Sequence, residues 1–285
     1  MNTLIYTALA LLAFAGNSIL CRLALANGEI DAASFTSIRL LSGIVVLALI
    51  LKLSAKPGKV AASGSWKASF MLFVYAVSFS YAYLSLDTGM GALILFACVQ
   101  ITMILMGVLS GNTLRRTEGL GVVTAFSGFV YLVLPGVSAP SLTGFLLMAL
   151  AGISWAFYTL AGKTSSQPLA DTASNFLRTL PLLLLLFAVS VQYASLSLTG
   201  VLMAVLSGGL ASGVGYTIWY AALGGLSTVQ AAVVQLLVPV LAAIGGVLFA
   251  DEIFSARLLI ASCVILGGIL IVILGRYYSE RYRSG

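Results

Sequence analysis

The chain reads as a succession of apolar runs about twenty residues long, separated by short polar breaks. The runs cover about Thr3 to Ala26, Ala32 to Leu53, Trp66 to Leu86, Thr88 to Ser110 and Glu118 to Pro135. Five more cover about Thr143 to Gly162, Asp171 to Gln192, Leu198 to Leu223, Ser227 to Ala250 and Phe254 to Arg276. A helix needs roughly 20 such residues to cross the hydrocarbon core of a bilayer. The breaks carry turn residues, as in Asn27-Gly28, Pro57-Gly58, Asp87-Thr88-Gly89, Gly111-Asn112, Pro135-Gly136 and Gly224-Gly225. The pattern predicts an all-α, polytopic membrane protein of ten transmembrane helices joined by short loops.

Composition agrees with lipid as the solvent. Of 285 residues, 61% are hydrophobic and 8% charged, against about 25% charged in an ordinary soluble domain. The ten runs leave no room for a separate soluble domain. The net charge of +6 is scattered among loops rather than gathered on a face, so no nucleic-acid partner is expected. Cys21, Cys98 and Cys263 sit inside apolar runs without metal-ligand spacing, and the chain has no histidine. They read as small packing residues, and neither a metal nor a cofactor is expected. Ala24-Leu25-Ala26 imitates a signal cleavage site, but no Lys or Arg precedes the first run and the run outlasts a secretory core, so it reads as a retained span.

The basic residues set the expected orientation. With the N-terminus inside, Lys52, Lys56, Lys59, Lys67, Arg115, Arg116, Lys163, Arg276, Arg281 and Arg283 all lie on the cytoplasmic side, ten of the fourteen Lys and Arg. Glu29, Asp31, Asp87, Asp251 and Glu252 fall mostly outside, and Arg22 and Arg257 stand at outer helix ends. The expectation is a multi-pass protein of the cell (plasma or inner) membrane with both termini cytoplasmic.

The halves match without gaps at a shift of 139 residues, which carries Arg39 onto Arg178 and Tyr81 onto Tyr220. The same shift carries Gly107-Val108-Leu109 onto Gly246-Val247-Leu248 and Gly128 onto Gly267. Two arginines within apolar runs at one shared offset are hard to obtain by chance. The reading is a first five-helix repeat over 1–138 and a second over 139–285, forming one membrane domain. An odd number of spans per copy inverts the second relative to the first, and inverted repeats are an architecture of secondary transporters, with a substrate site near the midplane between the copies.

Several segments carry a family likeness: Leu11 to Leu25 (LLAFAGNSILCRLAL), Arg39 in SIRLLSG, Ala149 to Gly162 (ALAGISWAFYTLAG) and Arg178 in FLRTL. Val238-Pro239-Val240 and Phe249-Ala250-Asp251-Glu252, followed by the Gly267-Gly268 helix, complete it. On these residues the chain resembles the EamA family of the drug/metabolite transporter superfamily over nearly its whole length. The resemblance implies two five-helix repeats and transport of amino acids, related metabolites or drugs, usually by export. The first repeat departs from the second: Gln100 stands where Pro239 stands, and Thr113 where Glu252 stands.

Candidate substrate-binding residues are the polar and aromatic groups inside the runs: Asn17, Arg39, Tyr81, Tyr83, Gln100, Trp155, Tyr158, Arg178, Trp219, Tyr220 and Gln235. Arg39 lies about seven residues into its run, roughly 10 Å deep at 1.5 Å per residue. Charge at that depth faces protein or a water-filled cavity. Arg39 and Arg178 can bind an anionic group of the substrate or close a gate, or they can snorkel and cap carbonyls to lock the repeat; both readings are open. Trp155 with Tyr158, and Tyr216 with Tyr220, share helix faces that could close on a solute. A lipid-interface belt is the favoured alternative for Trp219 and Tyr220. Gly107-x-x-x-Gly111 and Gly209-x-x-x-Gly213 read as packing seams, and the glycines around Gly208 as a place where the helix could bend.

The expected function is a secondary transporter, working by alternating access on a small-molecule substrate as a monomer or homodimer; because every Asp and Glu falls near a helix end, it is either facilitative, the favoured reading, or coupled through Glu252, Asp87 or an exchanged substrate. An intramembrane enzyme is the main alternative and would need a Ser/His pair, a metal-binding histidine motif or paired acids at membrane depth, none of which the sequence contains. A non-transporting scaffold would have no need of inverted halves.

Overall fold

The structure, a computed structural model, describes residues 2–54, 64–111, 116–134, 139–162, 165–226 and 228–281. Ten helical rods stand where the apolar runs predict them. They are α1 (Asn2–Ala26), α2 (Ala32–Ser54), α3 (Trp66–Ala82), α4 (Thr88–Leu109), α5 (Arg116–Val133) and α6 (Leu142–Gly162). Then come α7 (Pro168–Leu177 and Leu180–Ser190), α8 (Leu198–Leu223), α9 (Thr228–Gln235 and Leu237–Phe249) and α10 (Ala256–Arg281). Among the described residues, eight rods are long and apolar enough to cross a membrane. The other two, α3 and α5, are the shortest rods at 17 and 18 residues. The end of the third run, expected to be helical to Leu86, turns off the helix after Ala82.

Three rods expected to be continuous are interrupted. In α7 the break falls at Arg178-Thr179, because Pro181 has no N–H to offer the carbonyl four residues back. Pro239 acts in the same way on α9, which breaks at Leu236. Gln100, its counterpart under the 139-residue shift, leaves α4 unbroken. In α8, nine residues (Leu206–Val214) are wound as a π-helix between two α-helical pieces. Such segments put one extra residue in the turn and are frequent at functional sites.

Packing between the halves is reciprocal. α1, the first rod of one half, packs against α8 and α9 of the other, and α6 packs against α3 and α4. α2 meets α8 as α7 meets α3, and α4 pairs with α9 and α5 with α10. The α5–α10 seam is built on small residues: a Cβ on Gly268 would lie 2.6 Å from the Gly121 carbonyl oxygen, and one on Gly128 2.6 Å from Ile265. Gly209 and Gly213 form a seam as expected, each close to Val46 of α2. Gly111 does not: nothing lies near its Cβ position, and its φ of +95° makes it the left-handed terminator of α4.

Two polar clasps tie these pairs together. Near the start of α2, Asp31 accepts from the Ser195 amide (3.0 Å) and Glu29 bonds the Ser197 hydroxyl, while Ser197 caps α8. Near the start of α7, Asp171 and Asn175 accept from the amides of Gly64 (3.3 Å) and Ser65 (2.8 Å), while Ser65 caps α3. Burial works to raise the Asp31 carboxyl, but hydrogen bonds from Ser34 and from the Ser195 amide outweigh it and hold the group below its ordinary range.

Candidate functional site

A cavity of about 470 Å³ runs between the halves, lined by α1, α3, α4, α6, α7, α8 and α9. It reaches one face of the molecule at Gly162, Ser165, Pro168 and Leu226, where α6 and α8 end and α7 begins. Toward the other face it stops at Asn17, Ser18, Phe79 and Ser212. Beyond that floor Cys21 and Tyr83 are fully buried.

Its wall is a chain of touching rings. Tyr75 meets Trp155 at 4.8 Å between centroids, Trp155 stacks on Tyr216 at 5.2 Å and 28°, and Phe14 bridges Tyr216 (5.9 Å) to Trp219 (5.8 Å). Each such pair is worth about 0.5–1.5 kcal/mol beyond its burial, and together they present flat apolar faces to a solute. The rings come from α1, α3, α6 and α8, so the wall exists only when the two halves are assembled.

Polar groups sit at particular levels of this wall. Near the floor, Asn17 accepts a 2.6 Å hydrogen bond from Ser207 in the π segment, which ties α1 to α8. Gln100 and Gln235 line the side contributed by α4 and α9. Near the mouth, Tyr220 and Thr172 share a 3.0 Å hydrogen bond, and Asp171 accepts from the Ser165 hydroxyl.

Arg39 lies behind the wall rather than in it. It is 2% exposed, and its Nη2 donates to the Tyr75 hydroxyl at 3.0 Å. The guanidinium carbon lies 5.2 Å from the Tyr75 centroid and 4.8 Å from that of Phe79. Nη1 is buried without a hydrogen-bond partner. A cation so placed reaches the cavity through Tyr75, which holds its hydroxyl toward the charge and its ring toward the solute space.

At the face opposite the mouth, Arg22 at the end of α1 bridges two carboxylates: Nε donates to Glu252 at 3.2 Å and Nη2 to Asp87 at 3.4 Å, with Nη1 on the Tyr83 carbonyl at 3.1 Å. Glu252 also accepts from the Thr88 amide (2.8 and 2.9 Å) and hydroxyl (2.9 Å), and so caps α4 from the end of α9.

Comparison with known proteins bears on what this cavity serves. The family model described as the EamA-like transporter family matches residues 142–274. The chain is 49% identical over 275 residues to uncharacterized protein PA1977 of Pseudomonas aeruginosa, covering 96% of both chains. The chain belongs to the EamA-like transporter family. This EamA-like chain is also 24% identical to a protein of Salmonella typhimurium named "probable amino-acid metabolite efflux pump", over 70% of this chain and 72% of that one. A protein of the same name from Escherichia coli is 23% identical, over 76% of each. A solved crystal structure superposes with a TM-score of 0.60 at 18% identity, covering 94% of this chain and 97% of that one, which shows a shared fold. The EamA-like protein is thus a multi-pass membrane transporter, and the family points away from an enzyme.

Of the candidates read from the sequence of this EamA-like transporter, the cavity brings together Asn17, Gln100, Trp155, Tyr158, Trp219, Tyr220 and Gln235. Trp219, 8% exposed, faces the cavity rather than a lipid interface, and Tyr220 lines the cavity beside it. Four candidates stand elsewhere. Arg39 is behind the wall; Tyr81 points outward and is 36% exposed; Tyr83 is buried beyond the floor with its hydroxyl on the Thr88 carbonyl; and Arg178 lies over the Trp66 ring. Phe14, Tyr75, Phe79, Asp171, Thr172 and Asn175 line the cavity without having been singled out. The polar spacing Asp171, Thr172, Asn175 at the start of α7 was the available signal.

Proposed function

We propose that this EamA-like transporter exports small metabolites, such as amino acids or amphipathic aromatic solutes, by alternating access about the central cavity. The observation that carries the reading is the cavity itself: about 470 Å³, walled by stacked rings, open at one face and stopped short of the other. That volume lies within the roughly 300–1,000 Å³ typical of small-molecule sites. An aromatic or amphipathic solute lays its flat part against Trp155 and Tyr216. The field of Arg39, delivered through the Tyr75 hydroxyl, favours an anionic end near the floor, and Asp171 favours an ammonium near the mouth. Ends of opposite sign suit an elongated zwitterion or a zwitterion that meets them in turn, and the Salmonella and Escherichia relatives are named as amino-acid metabolite efflux pumps.

The residues 1–138 and 139–285 act as inverted repeats in this reading, supported by the reciprocal packing of α1 on α8 and α9 and of α6 on α3 and α4. The excess of Lys and Arg toward the mouth favours a cytoplasmic mouth and cytoplasmic termini in the plasma or inner membrane. One chain supplies every described wall of the cavity, so a monomer suffices for transport. Transport is facilitative, since no carboxylate lies in the middle of a span.

The test is flux in proteoliposomes loaded in turn with labelled aromatic amino acids and with amphipathic cations. Saturable flux that stops at equilibrium is expected for at least one. Absence of saturable flux for all of them sinks the substrate assignment, and accumulation above equilibrium under an imposed pH or sodium gradient replaces the facilitative mechanism by a coupled one.

A further inference from the structure

Beyond the floor of the cavity, at the closed face, lies a charged cluster, and the repeat says what should stand at the equivalent places on the other side. Arg22, Asp87 and Glu252 join three rods at the closed face: the end of α1, the start of α4 and the end of α9. Glu252 is the hub, because its carboxylate accepts from Arg22 and from the Thr88 amide and hydroxyl at once. Its side chain is 9% exposed and that of Arg22 18%, whereas Asp87 is 50% exposed. The Arg22–Glu252 contact is therefore the strong one, and the Asp87 arm is screened by solvent.

The shift of 139 residues carries Arg22 onto Ala161 and Asp87 onto Leu226, and carries Glu252 back onto Thr113. None of these three can bear a charge. Ala161 lies in the last turn of α6, and Leu226 follows α8 and lines the mouth. Among the described charged groups on the mouth side, Asp171 clasps Gly64 and Ser165, and Arg178 lies over Trp66. The rods that meet at this charged cluster are those on which the two closed states must differ, because α1 and α6 each bridge from their own half to the other.

We propose that Arg22, Glu252 and Asp87 form a one-sided ionic latch, which fastens the end of α1 to α4 and α9 and makes the mouth-open state the resting state of the transporter. The proposal rests on the alternating-access reading. In one state the latch is made and the cavity empties to the mouth; in the other, α1 swings from α4 and α9, and at the mouth the sequence counterparts of Arg22 and Asp87, Ala161 and Leu226, supply no such ion pair. The asymmetry sets the resting population, because a pair present in one state and absent from the other shifts the equilibrium by the whole of its differential energy.

A native residue reports on the latch. Phe14, Asn17, Ser18 and Cys21 recur at three- and four-residue spacing and so share one face of α1, the first three lining the cavity and Cys21 being fully buried one turn nearer the latch. Opening the closed face makes Cys21 the next residue on the pathway. The experiment uses the full chain in membranes with Cys98→Ser and Cys263→Ser, and a membrane-impermeant maleimide added on the latch face. Glu252→Gln keeps an oxygen for the Thr88 amide while removing the charge; Arg22→Gln removes the same pair from the other side and gives an independent reading if the first variant does not accumulate. Each is expected to raise the labelling rate of Cys21 about fivefold or more, and Asp87→Asn much less. Unchanged labelling in both Glu252→Gln and Arg22→Gln overturns the latch, as does an effect of Asp87→Asn equal to theirs. Labelling needs no substrate, so faster labelling in a protein without flux would leave the latch standing and sink the transport reading, while unchanged labelling in an active transporter would sink the latch alone.

Discussion

Arg39 and Tyr75 form the pair on which the chemistry of the cavity turns. A buried guanidinium with one donor left over is an expensive arrangement, since an unsatisfied charged group loses its hydration with little in return. Tyr75 is the hydrogen-bonding partner that the structure gives it. Tyr75→Phe keeps the ring in contact with Trp155 and removes only the hydroxyl. It should lower stability by about 1–3 kcal/mol in a detergent unfolding assay and weaken the apparent affinity for a zwitterionic solute more than that for a neutral aromatic one. Equal losses for both solutes would mean that Arg39 acts on the scaffold alone. Arg178 differs from its repeat partner: it sits at the break of α7 beside Trp66, so Arg178→Ala should change thermal stability before it changes affinity.

The distinctive element is α8. Its π segment brings Ser207 to Asn17 and places Gly208 so close to α2 that a Cβ there would run into the Arg39 carbonyl and the Ser42 hydroxyl. Its regular continuation then carries Tyr216, Trp219 and Tyr220 onto the cavity. One residue of register turns an α-helix by about 100°, so the extra residue in each turn of the π segment decides which face these rings present. Gly208→Ala should destabilise by about 1–3 kcal/mol and depress transport through the displaced rings. Gly267→Ala in α10, where a Cβ meets nothing within 4 Å, should be neutral or stabilising by up to about 1 kcal/mol. The two melting curves, measured side by side, separate close packing from the general effect of removing a glycine.

The assembly as a whole is an exchange of first helices: α1 belongs to one half by sequence and packs on the other, and α6 does the reverse. The cavity follows from that exchange, because its rings come from α1 and α3 of the first half and α6 and α8 of the second. If the halves are inverted, a cysteine at Pro140, just before α6, is labelled from the side opposite to one appended after α10. Labelling of both from the same side would remove the inversion and the alternating mechanism built on it.

The breaks at Pro181 and Pro239 follow from a missing N–H but were not foreseen, whereas the ten rods and the lipid solvent were legible along the chain, because the length and composition of an apolar run are local properties of the sequence. Rotation of each rod about its own axis was not. In a water-soluble helix the polar stripe faces solvent, but lipid is as apolar as the interior of the bundle, so α2 and α3 carry almost no hydrophobic asymmetry from which facing can be read. Hence Tyr81 and Tyr83, two residues apart and alike in sequence, end respectively on the outer surface and in the core, and Arg39, which the sequence marks so plainly, stands one ring behind the cavity. Only the packing of one half on the other decided which polar groups line the cavity.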